Sequence, residues 1–153
     1  MNYETITTCD VANGEGFGVV LWVSGCDIHC PGCHNKETWD PSSGKEFTEK
    51  ELNLILKELN KPHITRFTLS GGHPLMPCNR AEVKRIIQNI RLSIPDIEIW
   101  LYTGYLYEDL TDECRDICSY CDVIVDGPYI EELRDISLPF RGSKNQRIIR
   151  THN

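Results

Sequence analysis

The chain has 153 residues, 40% of them hydrophobic, enough for one core-forming domain spanning 1–153. Against 16 Lys and Arg stand 23 Asp and Glu, a net charge of -7 with no basic block, which argues against a phosphate-seeking nucleic-acid surface. No apolar run approaches a membrane span, and the opening MNYETITTCD lacks the basic and apolar regions of a signal peptide, so a soluble cytoplasmic protein with no membrane partner is expected.

In chain order, NGEGFG over 13–18 reads as a hairpin or lead-in turn. It precedes a strand instead of joining a strand to a helix N-terminus, so a phosphate-cradling loop is the weaker reading. GVVLWV over 18–23 is a β-branched and aromatic run, read as a buried first strand, and a group of cysteines follows it directly. Thr48 and Glu51 form a capping box, after which Leu52, Ile55, Leu56 and Leu59 share one helical face. ITRFTLS over 64–70 is the next strand and ends in Gly71 and Gly72. Asn79 and Glu82 suggest a second capping pair, before a helix striped by Val83, Ile86, Ile87 and Ile90. IEIWLY over 97–102 is a third strand, residues 107–120 a polar helix, and DVIVDG from Asp122 a fourth strand.

Alternation of strand and helix predicts a parallel sheet with right-handed crossovers. A closed eight-fold barrel needs about 250 residues, so the expected fold is α/β, an open partial (β/α) barrel with a mostly parallel sheet. Ligands of such sheets gather at the carboxyl ends of the strands. The cysteine group and the SGGHP segment both lie just past predicted strand ends and are expected to share one mouth.

Eight cysteines without an export signal point to metal or redox chemistry instead of a disulfide framework. Cys26, Cys30 and Cys33 sit in GCDIHCPGCHN, with Gly25, Pro31 and Gly32 supplying tight turns. Three thiolates can each ligate one iron of a cubane, leaving the fourth iron open to a substrate. The rival reading is a zinc site completed by His29 or His34. Burial in a core is the weakest reading, because a polar, turn-rich loop offers none. Cys114, Cys118 and Cys121 repeat the spacing, but with Leu110 and Ile117 they form the apolar stripe of a helix, so core packing is expected. His63 and His152 read as ordinary polar residues.

The cysteine segment, together with NGEG, TLSGGHPL, WLYTGY, DVIVDGPYI and FRGSKNQRI, resembles the radical S-adenosylmethionine (SAM) superfamily. It is most similar to the activating proteins of anaerobic ribonucleoside-triphosphate reductase. The resemblance implies a [4Fe-4S] cluster on Cys26, Cys30 and Cys33, with SAM chelating the open iron through its amino and carboxylate groups. An electron from a donor such as a flavodoxin-like reductant would release a 5'-deoxyadenosyl radical, which takes hydrogen from a glycine of the reductase large subunit. It also implies that Gly71 and Gly72 lie along the methionine part of SAM, where a missing Cβ permits close approach. Gly32, Cys33 and His34 would lie near the adenosyl part, and His73 beside the ammonium group. The chain departs from the superfamily pattern at His34, where an aromatic residue is usual, at His73, where an acid is common, and in the turn from Gly14 to Gly18. Asp126, Arg141 and Asn145 are polar loop residues open to SAM, the partner or solvent. Other functions compatible with the cysteines are a radical SAM enzyme for a small molecule and a zinc-binding interaction module.

Overall fold

In the computed structural model, which describes residues 1–151, the strands are β1 (Asn2–Asp10), β2 (Gly18–Val23), β3 (Lys45–Glu46), β4 (Arg66–Gly71), β5 (Glu98–Tyr102), β6 (Val123–Asp126) and β7 (Arg147–Arg150). The helices are α1 (Glu49–Leu59), α2 (Arg80–Ser93) and α3 (Asp112–Cys118). His152 lies outside the described residues. The strands form one sheet in the order β3-β1-β2-β4-β5-β6-β7.

The central strands β2, β4, β5 and β6 are parallel, as the alternation of elements predicts. The sheet as a whole is mixed, which corrects the expectation of a mostly parallel one. β1 runs antiparallel to β2 and β3, and β7 runs antiparallel to β6. These flanking strands escaped the sequence reading because neither carries a strong hydrophobic period. Along β1 only Tyr3 and Asp10 are buried, and β7 is the four-residue RIIR with its arginines exposed. The NGEGFG turn does form the β1–β2 hairpin connection.

Strand alternation divides the sheet into two unlike faces. Val19, Leu21, Phe67, Leu69, Ile99, Leu101 and Ile124 share the main core with Leu52 and Ile55 of α1, Val83, Ile86, Ile87 and Ile90 of α2, and Ile117 of α3. The in-register pairs Leu21↔Leu69 and Leu69↔Leu101 carry this face across the sheet. Arg66, Thr68, Ser70, Trp100 and Tyr102 occupy the alternate positions of β4 and β5. That second face is covered by connecting segments: Trp100 meets Phe140 edge-on at 5.3 Å, and the Tyr102 hydroxyl donates to the Phe140 carbonyl at 2.5 Å.

Local signals hold for α1, whose capping box between Thr48 and Glu51 is present. They fail for α2. A 3-10 turn over Pro77–Asn79 leads into that helix, and Asn79 makes no cap bond. Its buried amide donates instead to the carbonyls of Ser24 at 3.0 Å and His73 at 3.2 Å. Glu82, freed from capping, pairs with Arg85. The helix expected over 107–120 is broken: a 3-10 turn at Tyr107–Asp109 gives way to extended backbone at Leu110, and Thr111 caps α3 by accepting from the Cys114 amide. Cys114, Cys118 and Cys121 are all buried in the main core, in agreement with packing as small hydrophobes.

Candidate functional site

The cysteine loop leaves the carboxyl end of β2 and is anchored before it reaches the first thiol. Gly25 donates to the Thr38 carbonyl at 2.6 Å and Cys26 to the Trp39 carbonyl at 3.1 Å. Within the loop, Cys33 closes a turn onto the Cys30 carbonyl at 3.0 Å, and the Asn35 amide reaches the Cys33 sulfur at 3.3 Å. His29 takes a left-handed conformation, φ 52, and its ring stacks on Trp39 with centroids 4.3 Å apart. The loop is thus shaped by the chain's own contacts.

Gly71 and Gly72 bring the end of β4 onto the root of that loop. Gly72 donates to the Val23 carbonyl at 2.9 Å and His73 to the Gly25 carbonyl at 2.7 Å. A Cβ on Gly72 would lie 2.5 Å from the Gly25 oxygen, and one on Gly71, where φ is +104, 2.6 Å from the Val23 nitrogen. The missing side chains therefore permit backbone-to-backbone closure within the protein.

Cys26, Cys30 and Cys33 line a cleft of about 650 Å³ together with Gly71, Gly72 and His73. A wider cleft of about 1000 Å³ adjoins it, sharing Cys33, Asn35, Ser70, Tyr102, Tyr129 and Gln146 and adding His34 and Arg141. Gly32 is exposed with φ +77, and the exposed His34 ring lies 5.4 Å from that of Tyr129. The three cysteines are each partly exposed, and burial pushes the Cys26 and Cys30 thiols up. Metal binding would have to displace those protons, as thiolate ligation requires.

Among the described residues no three His, Cys, Asp or Glu side chains gather around a point able to hold one metal ion. A cubane asks for less convergence, because each thiolate meets a different iron. Three cysteines on an open cleft fit such a group. Two buried donors, Trp39 Nε1 beside the first cleft and Arg141 Nε beside the second, have no protein partner and suit a site that takes a ligand.

His73 is buried, 1% exposed, with both ring nitrogens engaged. Nδ1 lies 2.6 Å from Asp27 Oδ1 and Nε2 lies 2.8 Å from Thr103 Oγ1. The Tyr105 hydroxyl donates to Asp27 Oδ2 at 2.5 Å, and the Tyr105 amide to Thr103 Oγ1 at 3.1 Å. Burial lowers the His73 pKa, against the opposing pull of the Asp27 carboxylate. Burial alone would raise Asp27, but hydrogen bonds from His73 and Tyr105 outweigh it and hold the carboxyl below the usual aspartate range. The sequence assigns Asp27, Thr103 and Tyr105 no role beyond their places in GCDIHCPGCHN and LYTGY.

Asp126 and Asn145 both hold the chain's own backbone, and the buried Asn145 Oδ1 has no protein partner. Buried Asp126 accepts from the Tyr107 amide at 2.9 Å and from both Nε and Nη2 of Arg147, at 3.1 and 2.5 Å. Asn145 donates to the Pro128 carbonyl at 2.7 Å and Gln146 to that of Gly127 at 3.1 Å. The FRGSKNQRI segment thereby clamps the loop that follows β6.

No helix among the described residues is long and apolar enough to cross a membrane. The sequence family described as "4Fe-4S single cluster domain" matches residues 12–149. The chain is 41% identical over 152 residues to the anaerobic ribonucleoside-triphosphate reductase-activating protein of Vibrio cholerae, with 98% of each chain covered. It is 41% identical over 148 residues to the protein of that name from Enterobacteria phage T4, covering 97% of this chain and 93% of the relative. For the Escherichia coli K12 protein the identity is 40% over 148 residues, with 95% and 96% covered. Near-complete coverage at this identity, with the iron-sulfur match spanning the cysteine loop and both clefts, establishes that the chain belongs to the family of anaerobic ribonucleoside-triphosphate reductase-activating proteins.

Proposed function

We propose that the protein activates an anaerobic ribonucleotide reductase by generating a glycyl radical on it, through reductive cleavage of SAM at a [4Fe-4S] cluster. It would act as a radical SAM oxidoreductase, a single domain over 1–153 with an open partial barrel. The observation that carries this reading is the cysteine loop at the carboxyl end of β2, opening onto a cleft in a chain alike over nearly its whole length to proteins named as reductase activators.

Cys26, Cys30 and Cys33 would hold the cluster. When bound, the cluster and SAM supply one-electron chemistry that ends in removal of a hydrogen atom from the partner's glycine. The backbone at Gly71 and Gly72 and the segment Gly32, Cys33 and His34 border the cleft where SAM would be held. Arg141, with its unpartnered Nε, offers a donor for an anionic group in the wider cleft. A chain segment of the reductase large subunit would have to enter that cleft for a reactive intermediate to be used without loss. The exposed turn at Pro31 and Gly32 offers a flavodoxin-like reductant an approach to the cluster loop.

The test combines reductant, SAM, this protein and an anaerobic ribonucleotide reductase from the same source. A glycine-centred doublet in the electron paramagnetic resonance spectrum of the reductase fraction, formed alongside 5'-deoxyadenosine, is the expected result. Full SAM cleavage with no radical on any matched reductase would overturn the partner and favour a small-molecule substrate.

A further inference from the structure

We infer that His73 is a positioning residue for the cluster loop, holding Asp27 through its imidazole, and that its ring is not a SAM ligand. The inference rests on the reading that Cys26, Cys30 and Cys33 hold a cluster.

The hydrogen-bond geometry engages both nitrogens with protein partners. Thr103 Oγ1 accepts from the Tyr105 amide, so its own proton is available to His73 Nε2. Nδ1 donates to the Asp27 carboxylate and Nε2 is paired with Thr103 whichever of the two supplies that proton, leaving no ring nitrogen for a ligand. The Tyr105 phenol, raised to about 12 by burial and the Asp27 carboxylate, remains the donor of the second bond to that carboxylate. Asp27 thus has one oxygen held from the end of β4 and the other from the loop after β5.

Asp27 follows the first cluster cysteine, so fixing its side chain fixes the loop's departure from the sheet. The His73 amide anchors the same turn from the other side, through the Gly25 carbonyl. Farther along, His29 is held by its stack on Trp39. Held at Gly25, Asp27 and His29, the loop presents the Cys26 thiol between two anchors and the Cys30 thiol directly after the third, so it needs little reordering to bind iron. An acidic side chain in place of His73 would face the Asp27 carboxylate, so the imidazole and this aspartate are a matched pair.

The experiment uses iron-free protein first. Hydrogen exchange over 25–34 and alkylation of the loop cysteines are measured in His73→Ala, Asp27→Ala, Asp27→Asn and the double alanine variant. Loss of a hydrogen bond to a charged group is expected to speed both about tenfold in either alanine variant. The double variant should fall short of the sum of the two single ones, because both remove the His73–Asp27 bond while each loses one further bond, to Thr103 or from Tyr105. Asp27→Asn keeps an acceptor for His73 and should restore near-wild-type rates. Exchange in α1 should stay unchanged in all of them. After reconstitution, iron release to a chelator should follow the same order.

Unchanged exchange over 25–34 in both alanine variants would overturn the inference, as would additive effects or failure of Asp27→Asn to rescue. Asp27 is only partly buried, so its replacement tests the link even if His73→Ala does not fold. Failure of the wild-type protein to take up iron would overturn the cluster reading itself, on which the exchange rates of iron-free protein do not depend.

Discussion

Arg66 reaches past β2 to Asp10, placing Nη2 3.0 Å from Oδ2, with the arginine side chain fully buried and the aspartate 10% exposed. The reach is possible because β2 begins with Gly18, where a Cβ would lie 2.5 Å from the guanidinium carbon. The same side chain donates to the carbonyls of Asn13 at 3.1 Å and Glu15 at 3.0 Å, and a Cβ at Gly14 would fall 2.3 Å from its Cδ. The NGEGFG turn is therefore moulded around one buried arginine. Removing one partner leaves the other charge buried and unpaired, so Asp10→Ala is expected to cost about 3 kcal/mol in a denaturant titration. Asp10→Ala combined with Arg66→Met should cost less than the sum of the two single changes. A loss within about 0.5 kcal/mol for Asp10→Ala, as for ordinary surface substitutions, would show that the pair does not hold the hairpin.

The two cysteine triads should separate cleanly under mutation. Alanine at Cys26, Cys30 or Cys33 is expected to abolish iron retention, because each thiolate would serve a different iron. Alanine at Cys114, Cys118 or Cys121 should leave iron content unchanged and lower stability by about 1 kcal/mol through a small cavity in the core. Iron and sulfide analysis beside thermal melts reads both effects. Loss of iron in Cys118→Ala with retention in Cys30→Ala would reverse the assignment.

Thiol labelling gives an independent check that needs no metal. Burial pushes the Cys118 thiol up to about 12, and Cys121 is raised well above the ordinary value by the same cause. At pH 8 the reactive thiolate of Cys118 should be about a thousandfold scarcer than that of an ordinary cysteine. Mass spectrometry of the iron-free protein should find Cys9 and Cys78, both exposed, alkylated first, and Cys118 and Cys121 labelled only in denaturant. Rapid native labelling of Cys118 would show that α3 does not pack as described.

Gly72→Ala should act on the cluster loop before it acts on SAM. Its Cβ would meet the backbone of Gly25 and Thr38, neither of which is a flexible side-chain end. A cost of about 1–3 kcal/mol from overpacking is expected, with poorer iron uptake on reconstitution. If the variant instead takes up iron normally and loses only SAM affinity, the glycine serves the ligand and not the closure of β4 on the loop.

Much of this architecture is written in short stretches of chain. The stripe Leu52, Ile55, Leu59 needs only helical spacing to declare a buried face, and GVVLWV needs only composition to declare a buried strand. The C-x3-C-x2-C spacing occurs twice, and it is the local setting, a polar turn-rich loop against the apolar stripe of a helix, that tells the two triads apart. Signals of this kind survive because the interacting groups are neighbours on one element. β1 and β7 gave no such signal, since each gains its hydrogen bonds from a partner strand and buries little of itself.

The hydrogen-bonded group that braces the cysteine loop belongs to the other class. Asp27, His73, Thr103 and Tyr105 are drawn from three separate loops, the first two 46 positions apart in the chain and Asp27 and Tyr105 78 positions apart. No periodicity links them; they meet because the parallel strands β2, β4 and β5 all end at the same edge of the sheet. Asn79 shows the same effect in miniature, where a residue with good capping chemistry is taken by the carbonyls of Ser24 and His73 instead. Backbone carbonyls buried at the root of the cysteine loop cost more to leave unpaired than a solvent-facing helix start, so that demand overrides the local preference.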